Sequence, residues 1–428
     1  MALAKSRIHP GWIAVAVTFV TLMATAGFRS APSVLIVPLE DAFGWSRSDI
    51  SLAVAINILL FGLVSPFAAA LMEKFGIRKV VMLALSTVSF GAFLTIFIQA
   101  PWQLIATWGV IVGVGTGSMA LVFAATVANR WFVAKRGLVT GILTAASATG
   151  QLIFLPGLSH LALTYGWKSV SITVASFALL VIPFIYLFLK ERPSALGLLP
   201  YGAAADWQAP APSELSAFAL AIDTLKQSSK RKDFWYLFGS FFVCGLSTSG
   251  LIGTHFIPAA HDHGMPTTLA ASLLAMIGVF DVIGTVFSGW LTDRYDPRKL
   301  LFFYFGLRGL SLFLLPSILF STIQAPTLVF VIFYGLDWVA TVPPTIMLCR
   351  AVLGPQRASV VYGWVFAFHM IGAAIAASFA GWIRESNGDY EIAWYTAAIL
   401  CLIAAGCMFL LKKIPTLAQV EKANSASH

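Results

Sequence analysis

Twelve continuous apolar runs divide this chain, and no other feature limits its fold as severely. They cover approximately residues 12–37, 50–71, 80–100, 104–127, 138–163, 170–189, 234–259, 269–291, 300–320, 325–348, 360–383 and 392–411. Each is long enough to cross a bilayer, which takes about 20 apolar residues in a helix. Hydrophobicity does not alternate along them, so they predict helices and not the strands of a barrel. Composition points the same way. Of 428 residues, 59% are hydrophobic and 11% charged, where a soluble domain carries about 25% charged residues. An all-α membrane protein is expected. Its net charge of +9 does not imply nucleic acid, because the basic residues sit in short loops between the runs.

Those loops also set an orientation. Most of the 27 Lys and Arg fall on the side of the termini. The opposite loops hold only Arg47, Lys168 and Arg384, and Arg29 and Arg308 lie inside spans. Basic loops stay in the cytoplasm, so both termini are expected there, in an inner (plasma) membrane. Lys5 and Arg7 precede a first run too long for a signal-peptide core, and that run reads as a span. Cys244, Cys349, Cys401 and Cys407 all lie in or at the ends of runs, so neither a disulfide framework nor a metal site is expected. No Gly-x-x-x-x-Gly-Lys-Ser/Thr loop is present, which weighs against drive by ATP.

Residues 190–233 break the pattern. They are polar, contain Pro193, Pro200, Pro210 and Pro212, and end in Lys230-Arg231-Lys232. They read as a cytoplasmic linker between six-span halves at 1–189 and 234–428, with a short surface helix over Glu214 to Leu225. The halves repeat. Ala69-Ala70-Leu71-Met72-Glu73-Lys74-Phe75-Gly76-Ile77-Arg78-Lys79 aligns without a gap on Gly289-Trp290-Leu291-Thr292-Asp293-Arg294-Tyr295-Asp296-Pro297-Arg298-Lys299. Acid, base, aromatic and two terminal bases all match. Parallel halves joined by a linker are an architecture of secondary transporters.

The paired hairpins resemble the loop motif of the major facilitator superfamily, with Ala69 for its Gly and Glu73 for its Asp in the first copy. The resemblance covers almost the whole chain and implies that superfamily's fold. It also implies an inner-gate role for Glu73, Lys74, Arg78, Asp293, Arg294 and Arg298. A narrower resemblance lies at Trp131-Phe132-Val133-Ala134-Lys135-Arg136-Gly137-Leu138, followed by Gly141, Ala145, Ala146 and Gly150. It is similar to the motif that opens the fifth span of monocarboxylate transporters, with oxalate/formate-type exchangers as near neighbours. Small residues there allow close helix approach. His9-Pro10-Gly11-Trp12 lacks the acid that the family carries before span one. In span eight Asp281 matches the family's Asp, but Thr285 stands where the family has Arg, and Arg308 on the next helix is expected to take its place.

Five ionisable side chains lie well inside the runs: Arg29, Asp281, Arg308, Asp337 and His369. Hydrocarbon tolerates such groups only in a cavity or a pair, so each is a functional candidate. Asp281 precedes Asp293 of the turn by roughly three helical turns, and Arg308 follows it by roughly four. In antiparallel helices that puts both at similar depth. They are expected to pair, as a conditional lock or as a structural link. Arg29, about 25 Å along its helix from Trp12, can grip a carboxylate with two parallel hydrogen bonds. Tyr334, Asp337 and Trp338 share a helical stripe, as do Tyr362, Phe366 and His369, and either stripe can line a cavity or simply pack. Gln151 can orient a substrate, and His369 can take a proton near neutral pH. The two arginines and two aspartates sum to zero, so an entering organic anion makes the interior negative unless a proton or another positive group enters with it. A carrier of a small monocarboxylate-like anion with a proton is therefore expected, working in the bilayer as a monomer, with no enzyme activity and no cofactor. Anion exchange without a proton is the alternative. Efflux of hydrophobic compounds is disfavoured by a span four without Arg and a span five without Gly-Pro.

Overall fold

The computed structural model describes residues 9–45, 47–208 and 214–413. Among them, eleven helices are long and apolar enough to cross a membrane, and the pair Leu52–Leu63 and Ser65–Phe75, bent by 46°, makes a twelfth span. Spans one to six are Pro10–Phe43, that bent pair, Ile77–Thr95, Pro101–Trp131, Arg136–Tyr165 and Trp167–Phe188. Spans seven to twelve are Lys232–Asp262, Thr267–Thr292, Pro297–Ile318, Ala325–Leu353, Ala358–Asn387 and Glu391–Leu410. Span one outlasts its apolar run and stops at Gly44, whose left-handed φ of 67° lets its N–H return to the Glu40 carbonyl at 2.8 Å.

Several spans that read as continuous are interrupted. Span two bends at Val64, just before Pro66, which has no N–H for the preceding turn. Spans four and seven each contain a wide π turn, Ile105–Val112 and Leu246–Ile252. Span four breaks between Ser118 and Leu121, and span ten breaks between Asp337 and Val342. The register that sets Ala69 on Gly289 also sets Ser118 on Trp338 and Leu121 on Thr341, so the repeat extends from the hairpins into the helices. In span ten Pro343 and Pro344 remove the donors that the carbonyls of residues 339 and 340 would have used, and the helix opens.

Two apolar cores form. One gathers spans one to six, with Ile50, Ala53 and Met72 from span two; the other gathers spans seven to twelve, with Phe61, Ala69, Ala70 and Val122 from spans two and four. Within the first, span one lies close on span five because Gly27 leaves room for Phe154: a Cβ at Gly27 would meet the ring at 2.6 Å. The cores meet where span five faces span eight and span two faces span eleven. On the linker side this contact is tight. A Cβ on Gly141 would lie 2.6 Å from the Thr285 carbonyl oxygen, and one on Gly363 would lie 2.6 Å from the Pro66 Cα. Phe61 and Phe366 close the seam with an edge contact at 5.5 Å. Toward the far side, Gly157 of span five faces open space.

The linker does more than connect. Its helix is Ala217–Ser228, a few residues later than Glu214 to Leu225, with Ser216 capping Ala219 N–H at 3.2 Å. It lies across both halves. Phe218 stacks on Phe67 of span two at 5.4 Å, and Trp364 of span eleven donates its indole N–H to the Ala221 carbonyl at 2.9 Å. Asp223 pairs with Arg357 at 2.6 Å. The Arg357 hydrogen bond holds the Asp223 carboxyl below its ordinary range. A depressed acid stabilises the fold above its free pKa and loses that contribution as pH falls through the lowered value. This grip is therefore lost only in acid.

Candidate functional site

The break in span ten leaves carbonyls and N–H groups without their helical partners midway along the span, and the buried charges gather there to serve them. Arg308 of span nine is 1% exposed. Its Nε donates to Asp337 Oδ2 at 2.6 Å. Nη2 donates to the carbonyls of Asp337 at 2.6 Å and Trp338 at 3.2 Å. Nη1 reaches Cys244 Sγ at 3.1 Å and Ser247 Oγ at 3.4 Å on span seven. A guanidinium has five N–H donors, and all five are engaged here. In this conformation Arg308 has none to offer a substrate.

Asp281, 3% exposed, serves the other edge of the break. Its Oδ1 accepts the Val339 N–H at 3.0 Å and the Thr285 hydroxyl at 2.8 Å. Ser288 donates to the Ala340 carbonyl. The pairing expected from depth alone is thus corrected: Arg308 pairs with Asp337, and Asp281 makes no ion pair among the described residues. Counting residues fixes depth along a helix but not the direction a side chain faces. Asp337 stands at the same level and adjoins the carbonyls that draw Arg308 in.

The remaining candidates spread around this cluster. Tyr334 is buried and donates to the Ser247 carbonyl at 2.8 Å, holding span ten to the wide turn of span seven; Trp338 packs edge-on against it at 5.7 Å. Tyr362, Phe366 and His369 form a stacked column on span eleven, with His369 lying against Phe241 at 4.9 Å. Three buried polar atoms here have no hydrogen-bond partner among the described residues: Asp337 Oδ1, Tyr362 Oη and His369 Nδ1. Such atoms normally find a protein group or water, which makes these three the open positions of the site. Gln151 is half-buried on span five. The Arg29 side chain lies outside the described residues. Cys244 and Ser247 were not singled out by sequence; they stand three residues apart, on one helical face, and that spacing was the available signal.

At the hairpins, among the described residues, only Asp293 joins the halves. Its carboxylate accepts the Gly137 and Leu138 N–H groups at 2.7 and 2.9 Å, capping span five from span eight. Burial pushes its carboxyl above the ordinary range, against the pull of those two N–H groups and of Arg136 and Arg294. Glu73 pairs instead within its own half, with Arg130 at 2.9 Å. Lys74 donates to the Leu215 carbonyl of the linker at 2.9 Å. Arg78 and Arg298 play matching parts, reaching the carbonyls of Tyr186 at 3.4 Å and Leu411 at 2.8 Å where each half ends. Arg294 lies over the Trp290 ring at 4.0 Å.

Twelve apolar spans with charges buried at a broken helix fit a polytopic membrane carrier. The chain belongs to the Major Facilitator Superfamily, whose family profile matches residues 17–377. It is therefore a multi-pass membrane transporter of a small molecule, not an enzyme. It is 25% identical to monocarboxylate transporter 12-B of Danio rerio over 97% of this chain and 90% of that one. It is 23% identical to the MFS-type transporter YcxA of Bacillus subtilis (strain 168) over 97% and 98% of the two chains. Among solved structures, FucP in the outward conformation superposes with a TM-score of 0.70 at 16% identity, covering 95% of this chain and all of that one. The proton:xylose symporter XylE also matches, with a TM-score of 0.70 at 14% identity, over 96% and 98% of the two chains. These structures share the fold.

Proposed function

We propose that the protein moves a small monocarboxylate-like anion together with a proton by alternating access, in an inner (plasma) membrane and with both termini in the cytoplasm. The observation that carries this reading is Asp281, a carboxyl buried at a helix break and hydrogen-bonded only by neutral groups while the nearest arginine is held by Asp337. An unpaired buried anion is costly, and a proton is the smallest group that neutralises it. Relatives that bear the name monocarboxylate transporter support the anion. The distribution of Lys and Arg supports the orientation.

In this scheme Arg29 grips the substrate carboxylate, and Tyr362, Phe366 and Trp338 flank its apolar part. Asp281 takes the proton, with Asp337 and His369 as the other groups able to do so. The loaded interior is neutral and the halves rock about the seams of spans five and eight and of two and eleven. The test is uptake of labelled two- to four-carbon monocarboxylates into proteoliposomes under an imposed pH gradient. Accumulation that collapses with a protonophore is the expected result. Accumulation that ignores the protonophore and requires an anion on the opposite side would replace this reading with exchange.

Asp293 and the glycines of span five act in this scheme as the inner gate. Gly141→Leu is expected to wedge the gate, because its Cβ alone would already press on the Thr285 carbonyl. A cysteine introduced at the linker-side mouth should then label faster, and unchanged labelling would remove span five from the gate. Asp293→Asn keeps one acceptor for two N–H groups and removes the charge. A loss of about 1.5–3 kcal/mol, the worth of a hydrogen bond to a charged group, should shift the same labelling assay in the same direction.

A further inference from the structure

On the linker side, the inner ends of the spans and the linker enclose a cavity of about 1120 Å³. Lys74, Arg130, Arg136, Arg192, Arg350 and Arg357 line it, against Glu73 as the only acidic group of the lining among the described residues. Two of the arginines have carboxylates of their own: Arg130 has Glu73, and Arg357 has Asp223. Neither Arg136 nor Arg350 forms an ion pair among the described residues; Arg136 feels both the repulsion of Arg350 and the attraction of Asp293, whose carboxylate oxygens are taken by the Gly137 and Leu138 N–H groups. Arg136 is 8% exposed, and its Nε has no hydrogen-bond partner among the described residues.

The repeat explains why Arg350 is left alone. The register that sets Glu73 on Asp293 sets Arg130 on Arg350. In the first half this arginine and this acid are bonded to each other. In the second half the acid has crossed to cap span five, and Arg350 is left with the amide oxygen of Asn129 at 3.2 Å. The gate bond that joins the halves therefore strands a cation beside Arg136.

We infer that this cavity binds a multiply charged oxyanion of the phosphate type, held by Arg136 and Arg350. Guanidinium groups match phosphate oxygens in fork geometry. The charge of the lining exceeds what a single carboxylate would neutralise, which favours a dianion over the transported monocarboxylate. The occupant joins span five of one half to span ten of the other, so it stabilises the form closed on the linker side. A soluble phosphate compound and an anionic lipid headgroup share this chemistry.

The test measures thermal unfolding of the full chain in nanodiscs of neutral lipid, with inorganic phosphate against chloride at equal ionic strength. A parallel sample holds an anionic phospholipid and no phosphate. A saturable rise in the midpoint is expected from at least one of them. Phosphate acting in neutral lipid assigns the site to a soluble anion; the anionic lipid acting alone assigns it to a headgroup. Arg350→Gln should weaken the apparent affinity about tenfold or more, the worth of one charge-assisted bond. Arg350 is half-buried with a single neutral partner, so this variant keeps the fold; Arg350→Lys should retain part of the effect. No rise from either ligand, or an equal rise in Arg350→Gln, overturns the inference.

Discussion

Arg308→Ala is expected to cost about 3–5 kcal/mol of stability, the usual result of removing one partner of a buried pair. The loss has three parts. The buried Asp337 carboxylate loses the partner it has in Arg308. The carbonyls of Asp337 and Trp338 lose their donors at the break in span ten. Span seven loses its tie through Cys244 and Ser247. Little folded carrier should survive extraction, and the remainder should unfold at a clearly lower temperature in detergent. Arg308→Lys keeps the charge but offers three donors from one atom where five are used, and should recover only part of the loss. Arg308→Gln combined with Asp337→Asn removes both charges and should be more stable than Arg308→Ala alone. A well-folded Arg308→Ala protein that has lost only substrate affinity would show instead that this arginine is a ligand and not a lock.

That prediction depends on a contact the sequence did not reveal. The twelve spans were legible because each is written in composition over a long stretch of chain. The depth of Asp281 and Arg308 was also legible, since each residue of helix advances about 1.5 Å. Their partners were not. Which way a side chain faces depends on where neighbouring helices break, and the break in span ten is announced only by Pro343-Pro344, several residues downstream. Once the helix opens at Asp337, its free carbonyls attract Arg308 and its free Val339 N–H attracts Asp281. The gate shows the same limit. Both hairpins read alike, yet Asp293 crosses the seam while Glu73 stays with Arg130. A motif carries the residues of a latch but not which copy closes it.

Replacing Asp281 with Asn should separate transport from its driving force. The amide oxygen can still accept from Thr285 and Val339, so the break stays capped and the fold survives. The variant cannot take up a proton, and the pair of Arg308 with Asp337 remains neutral without it. A pH difference of one unit is worth about 1.4 kcal/mol per proton, or about tenfold in accumulation. Wild-type proteoliposomes should approach that ratio. Asp281→Asn should only equilibrate the substrate, while exchange of labelled for unlabelled anion continues at a comparable rate. If accumulation under the gradient is unchanged, the proton travels elsewhere, and Asp337 and His369, whose Oδ1 and Nδ1 atoms stand without partners among the described residues, become the residues to replace. Loss of exchange as well as accumulation would mean that the charge on Asp281 is needed for the halves to move, and the coupling role would pass from this carboxyl to the site as a whole.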